Sequence, residues 1–469
     1  MIEGAILLLF AICGVFFVFG SRRIRAALIL VSIFVANLEL EVGIGLNLPV
    51  LLMILSTFLI ITGQISIHPR AASLFSHRLL LFLCWTLGIW MVGFLCLSIV
   101  NDAQYGWTRS STVKPIIQLV RFFLFVPFSL TVADGIRTTA DLQWFLKIWT
   151  RVALISAIGC ILQVGAHKLT GQSLGTYRVH RHKFHMTFAK IGGVRILRAN
   201  GLAGEPKAQG MAMAMSLCML LGTFGRGIVR FSRRRHLASI VLVSISLLLT
   251  FSSGAIAMAA VLLGLVILGS GTTSAKRIAV ATILFVAAAT TQFSANAQSF
   301  WESRLHRIVS ITTDVHGRGW GMDKERPAMI YLLENPHLAM TGVGLGMGPF
   351  HFDHLITNMA FRGKYVDPNS GMLWGLYGFG LIGWSLLLIG LAPELRGQGV
   401  GTTIAPVVAM FLRFTLIYFL VYTPIWWFMI AIGISCAPGV QRRTVPRSVG
   451  ARGLRAQPQR EPRALPNAT

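Results

Sequence analysis

Eight cations, Lys168, Arg178, Arg181, Lys183, Lys190, Arg195, Arg198 and Lys207, fall between positions 167 and 207, against the single acid Glu205. A stretch this basic beside a membrane attracts phosphate or an acidic polymer. Arginine does so best, because its planar fork donates two hydrogen bonds at once. The same cations could instead meet lipid headgroups, and over 178–190 both readings stand. His167, His180, His182 and His185 lie in the same stretch. The run His180-Arg181-His182-Lys183 has ligand-type residues, but its cations repel a metal ion and no cysteine or paired carboxylate accompanies it. No metal and no cofactor is expected. The six cysteines lie in apolar stretches without a C-x-x-C pair, so they read as small buried hydrophobes.

A second polar stretch, 293–370, balances seven basic against seven acidic residues and reads as folded. Asp323-Lys324-Glu325-Arg326-Pro327 is a helix start, with proline near the first turn. Met329, Leu332 and Leu333 follow at helical spacing as an apolar face, and Asn335-Pro336 ends the run. The predicted helix lies over the membrane domain. Gly342-Val343-Gly344-Leu345-Gly346-Met347-Gly348 comes next. No strand–helix unit frames it, so it is a tight backbone turn at the bilayer surface rather than a dinucleotide fingerprint. Arg121 and Arg413 interrupt apolar runs. An arginine at the bilayer centre costs roughly 2.5–3.5 kcal/mol on insertion scales, so each is expected to face the protein interior or a polar cavity.

The elements that carry these residues follow from composition. Of 469 residues, 54% are hydrophobic and only 12% charged, against about one quarter in soluble domains. Apolar runs recur along most of the chain, giving about thirteen candidate spans of bilayer length. This excludes a soluble enzyme, a disordered chain and a secreted disulfide scaffold. The net charge of +26 would suit nucleic acid, but not in a chain this apolar. Short loops set orientation. Segments 22–25, 68–78, 133–151, 226–235, 271–277 and 393–396 hold most short-loop Lys and Arg and are assigned to the cytoplasm. The short loops opposite hold only Arg109 and Lys114. The long loops 167–207 and 293–370 then face outward, and orientation does not account for their cations. Positions 1–20 lack the basic start of a signal peptide and read as a first span. The expected organisation is an all-α polytopic transmembrane domain over 1–440 and a basic cytoplasmic tail over 441–469. The tail carries seven arginines and almost no apolar periodicity.

Four stretches together resemble the O-antigen polymerase and ligase superfamily, bacterial inner-membrane enzymes acting on undecaprenyl-diphosphate-linked glycans. Arg198-Ala199-Asn200-Gly201-Leu202-Ala203-Gly204-Glu205-Pro206 is similar to an R-x-x-G-x-x-x-E-P pattern before a span. Leu249-Thr250-Phe251-Ser252-Ser253-Gly254 looks like a T-x-S-R-G turn, with Ser253 in place of the arginine. Gly317-Arg318, Glu334-Asn335-Pro336 and Gly342-Val343-Gly344-Leu345-Gly346 resemble the glycine run of the large outer loop. Asp367-Pro368-Asn369-Ser370, followed by Leu376-Tyr377-Gly378-Phe379-Gly380-Leu381-Ile382-Gly383, looks like the element opening the next span. Ligases carry a histidine where Pro368 stands, which favours a polymerase.

The resemblance implies a C-type glycosyltransferase fold and a polyprenyl-diphosphate donor. It implies that Arg198 and Arg318, then Arg195 and Arg326, bind the diphosphate. Glu205 is the first candidate for the base and Asp367 the second, and Glu205 reads equally as a structural partner of an arginine. Asn369 orients a loop or binds sugar hydroxyls. The expected activity is polymerisation of lipid-linked repeat units into O-antigen, capsule or exopolysaccharide, with membrane lipids, a flippase and a chain-length regulator as partners. A ligase passing finished glycan to another acceptor is the alternative. A non-enzymatic transporter of lipid-linked glycan is another.

Overall fold

The computed structural model describes residues 2–35, 39–42, 44–65, 77–100, 113–171, 176–178, 183–185, 187–191, 194–203, 205–224, 232–252, parts of 255–264, 273–292, 322–356, 368 and 371–395. The protein is mostly helical, and four of its helices contain stretches long and apolar enough to cross a membrane: Leu79–Cys96, Pro115–Gly135, Ala140–Thr170 and Leu373–Gly390. The chain is thus a membrane protein in its architecture. The expected spans over 402–421 and 424–437, the basic tail and Arg413 lie outside the described residues.

The helices are α1 (Ile2–Phe19), α2 (Arg22–Phe34), α3 (Leu48–Ile61), α4 (His77–Val100), α5 (Val113–Gly135), α6 (Thr139–Thr170), α7 (Pro206–Thr223), α8 (Arg233–Leu249), α9 (Thr273–Gln292), α10 (Met322–Glu334), α11 (Pro336–Thr341), α12 (Gly348–Phe352) and α13 (Gly371–Leu395). Their starts follow local chemistry. Ser21 and Asn47 cap α2 and α3 by accepting from Ile24 N and Val50 N. Three hairpins join the helices: β1 (Glu39–Val42) with β2 (Ile44–Asn47), β3 (Thr176–Arg178) with β4 (Lys183–His185), and β5 (Thr187–Ile191) with β6 (Val194–Arg198).

Two packing groups position the candidate sites. In one, α6 lies against α7 and α8, with Trp149 Nε1 donating to Ser216 Oγ at 2.9 Å. In the other, α4 and α11 pack on α13. Phe82, Phe122 and Phe379 seal the junction of α4, α5 and α13 with edge-on contacts at 5.2 and 6.1 Å. The helices α2 and α3 both pack on α5, and α2 also touches α6.

The 133–151 segment, expected as a cytoplasmic loop, is largely helix. α6 begins at Thr139 because Thr138 and Asp141 form a capping box. The fully buried Asp141 carboxylate also accepts from Arg22 at 3.5 Å and from Arg23. Arg25 donates to the last carbonyls of α1, Phe17 O at 2.9 Å and Val18 O at 3.2 Å. The first arginine cluster therefore bolts three helices together. Asp141→Ala is expected to lower stability by about 1–3 kcal/mol, through loss of the cap and of partly exposed ion pairs. A thermal-shift measurement in detergent checks this, and a change below about 0.5 kcal/mol refutes the assignment.

Arg121 is exposed on α5, not turned into the protein interior. It lies about 9 Å along the helix from the start of the apolar stretch at Pro115, within reach of the headgroup region for a long side chain.

Candidate functional site

The expected outer loop 167–207 contains strand structure. Thr187–Ile191 and Val194–Arg198 pair antiparallel, with Ile191 opposite Val194 and Thr187 opposite Arg198. The two residues between the strands are Gly192-Gly193, a hairpin signal that the helix-centred reading passed over. Positions 195 and 198 are three apart on one strand, so they fall on opposite faces of the hairpin.

The strand β6 delivers Arg198 to the end of α8. Its Nε donates to Thr250 O at 3.1 Å, and Ala199 N donates to Leu249 O at 2.9 Å. A cation at a helix C-terminus meets the negative end of the helix dipole. The next residue, Phe251, adopts φ 44°, a region that bulky residues avoid and whose strain costs of order 1–3 kcal/mol.

Beyond Arg198 the chain turns into the membrane domain. Gln163, in the C-terminal part of α6, clamps the turn. Its Oε1 accepts from Asn200 N and Gly201 N, both at 3.0 Å, and its Nε2 donates to Gly201 O at 3.3 Å. Gly201 sits at φ 53°, and a Cβ there would meet the Gln209 side chain at 2.4 Å. The turn leads to the exposed Glu205, the residue before α7, whose carboxylate makes no capping bond. Gln209, one turn into α7, is wholly buried. Its Oε1 accepts from Ser156 Oγ at 2.9 Å, while its Nε2 finds no partner among the described residues. A Cβ on Gly210 would lie 3.1 Å from Thr250 Oγ1 and 2.6 Å from Ala255 Cβ, so α7 closes directly on the turn after α8. The segments 198–210 and 249–255 thus form one constellation.

A second constellation is built on α13, which is broken at Gly380 (φ 66°, ψ −178°). The break leaves carbonyls without helical donors. Tyr377 O accepts from Val343 N at 2.7 Å and Gly344 N at 3.1 Å, and Phe379 O accepts from Trp85 Nε1 at 2.9 Å. The glycine run supplies the close approach. Gly342, Gly344 and Gly346 take φ 81°, 107° and 78°, and a Cβ on Gly342 would lie 2.7 Å from Gly380 N. The run makes the expected tight backbone turns and is buried against α4 and the broken span, where its N–H groups satisfy that span's carbonyls.

The predicted helix over this region is α10, and it ends before Asn335-Pro336 as its sequence dictates. Its buried face differs from the expected one. Ala328 and Leu332 are buried, whereas Met329 and Leu333 are exposed. The structure also brings in residues that sequence reasoning did not single out. Tyr331 Oη lies 3.3 Å from His351 Nδ1, with the His354 ring 5.9 Å from the Tyr331 ring. Burial, and secondarily the neighbouring His354, pushes the His351 imidazole down to about 4. The unfolded ring titrates near 6.5, so stability from the neutral ring is complete above about 6.5 and is lost as pH falls through about 4. Melting temperatures of wild type and His351→Gln are expected to diverge over this window, wild type falling more steeply. Parallel curves would refute the assignment.

Of the predicted site residues, Arg198 and Glu205 belong to the first constellation, and Arg195 stands on the same strand at a position of the opposite face. Arg326 is half-buried on α10, beside the second. Arg318, Asp367 and Asn369 lie outside the described residues. Gln163 and Gln209 are further polar groups of the first constellation. Their signal was an amide within an apolar helix, which in a membrane requires a partner. Among the described residues no group of three or more His, Cys, Asp or Glu is placed to hold a metal ion. No protein-family model matches this chain, and a search of curated proteins finds no match.

Proposed function

We propose that the chain is a polysaccharide polymerase that joins undecaprenyl-diphosphate-linked repeat units at the outer face of a bacterial inner membrane. The observation that carries this reading is that segments far apart in sequence meet in pairs. The Arg198–Glu205 turn closes on the end of α8, and the glycine run closes on broken α13. These are the same segments whose residue patterns resemble the polymerase and ligase superfamily. The reading includes about thirteen spans in a C-type glycosyltransferase arrangement.

In the proposed reaction, a sugar hydroxyl of one lipid-linked unit attacks the anomeric carbon of a growing chain. The bond from that carbon to the diphosphate breaks, a glycosidic bond forms, and the undecaprenyl diphosphate leaves with the bonding electrons. Negative charge therefore develops on the diphosphate, and prepositioned guanidinium groups stabilise it. Arg198 and Arg318 are assigned this role first, then Arg195 and Arg326. Because positions 195 and 198 fall on opposite faces of the hairpin, Arg195→Ala is expected to be the milder of the two alanine variants. Glu205 is the first candidate to take the hydroxyl proton, its exposure leaving it accessible to an acceptor sugar, and Asp367 is the second. Asn369 orients the acceptor or its loop. A flippase would supply the substrate and a chain-length regulator would act on the product.

Reconstitution of the purified chain with lipid-diphosphate-linked repeat units tests the proposal. A ladder of lengthened lipid-linked glycans is expected. Transfer of intact glycan to a different acceptor would assign a ligase, and translocation without bond formation would assign a transporter. Either outcome would overturn the polymerase reading.

A further inference from the structure

The segment containing α10, α11 and the glycine run falls between apolar spans and was assigned to an outer loop. Its contacts put it lower. Tyr377 and Gly380 lie roughly 6 and 10 Å inside the apolar stretch of α13, which begins at Leu373. Gly342 packs on Gly380, Gly348 packs on Tyr377, and Tyr377 Oη donates to Ala328 O in α10 at 2.7 Å. On the other side, a Cβ on Gly93 would collide with Val343 O. Gly93 lies roughly 5 Å inside the Cys96 end of the α4 stretch. Each leaflet contributes about half of a hydrocarbon core of about 30 Å. Non-helical backbone at that depth is tolerated only where protein buries it, and residues 342–350 are buried throughout.

The surface of this segment fits that depth. Leu333 is 74% exposed, Met340 47% and Met329 39%. The two spans that the segment packs between also carry exposed apolar side chains, Met91 and Leu95 on α4 and Leu381 on α13. Glu334 and His337, also exposed, lie between Leu333 and Met340 in sequence. We propose that α10 and α11 form a re-entrant element embedded in the leaflet that α13 enters, with Met329, Leu333 and Met340 covered by lipid acyl chains.

The native chain carries its own probes. In nanodiscs loaded with a single copy, water-borne hydroxyl radicals should oxidise Met329 and Met340 at rates within about threefold of Met91. Met91 is the exposed methionine on the lipid-facing side of span α4, and the single copy excludes cover by a second chain. Oxidation of Met329 and Met340 about tenfold faster than Met91 would place α10 and α11 in water and overturn the proposal. A spin label at Leu333→Cys gives an independent readout. Collisions should favour oxygen over a water-soluble nickel complex, as at an Ile158→Cys label in α6, and the reverse preference would overturn the proposal.

Discussion

Arg198→Ala is expected to lower polymer formation by about two orders of magnitude or more, the usual scale for removing a donor aimed at developing charge. The geometry complicates this result, because Arg198 Nε also anchors Thr250 O at the end of α8. The alanine variant should therefore lose about 1–3 kcal/mol of stability along with activity, since a hydrogen bond made by a charged group is lost. Arg198→Lys separates the two roles. Lysine keeps the charge at the helix end but cannot present a two-pronged fork to a diphosphate. A protein with near wild-type melting temperature and polymer yield still reduced at least about tenfold would support diphosphate binding. Full-length polymer from a correctly inserted Arg198→Ala protein would remove Arg198 from the reaction, and the proposed function would lose its leading residue.

The largest stability effect is expected at the broken span. Gly380→Ala places a Cβ 2.3 Å from Met340 O and 2.5 Å from Gly342 N, at φ 66° where only glycine is at ease. Both atoms are backbone and cannot swing aside. Overpacking costs about 1–3 kcal/mol and the left-handed conformation about 1–2 kcal/mol more. A loss of about 3 kcal/mol or more is expected, read as a collapsed melting temperature or failure to elute as a single species. Gly88→Ala is the control, because nothing lies within 4 Å of its added Cβ and it sits in the regular helix α4. It should be neutral or slightly stabilising. Equal effects from the two variants would show that the clasp between the glycine run and α13 does not carry the stability assigned to it.

The sequence made some of this legible. The four long apolar helices, the start and stop of α10, and the need for glycine at 342, 344 and 346 were all readable, because hydropathy, proline position and glycine spacing act locally. The Gly192-Gly193 hairpin was readable too, but helical expectations obscured it. The amide clamp of Gln163 on Asn200 and Gly201 was not readable, since the partners are 37 and 38 residues apart. The exposure of Met329 and Leu333 was also hidden. An apolar stripe on a short helix looks the same whether protein or lipid covers it.

Composition and hydropathy by themselves pointed to a membrane protein, since only 12% of the residues are charged and apolar runs recur at lengths that can cross a bilayer. Local residue chemistry determined where several helices begin, end and admit glycine. Only the tertiary structure decided that the Arg198 turn belongs with the end of α8, and that the glycine run belongs with a broken span. Those pairings rest on backbone carbonyls freed at helix ends and breaks, and which donor reaches them depends on packing in three dimensions.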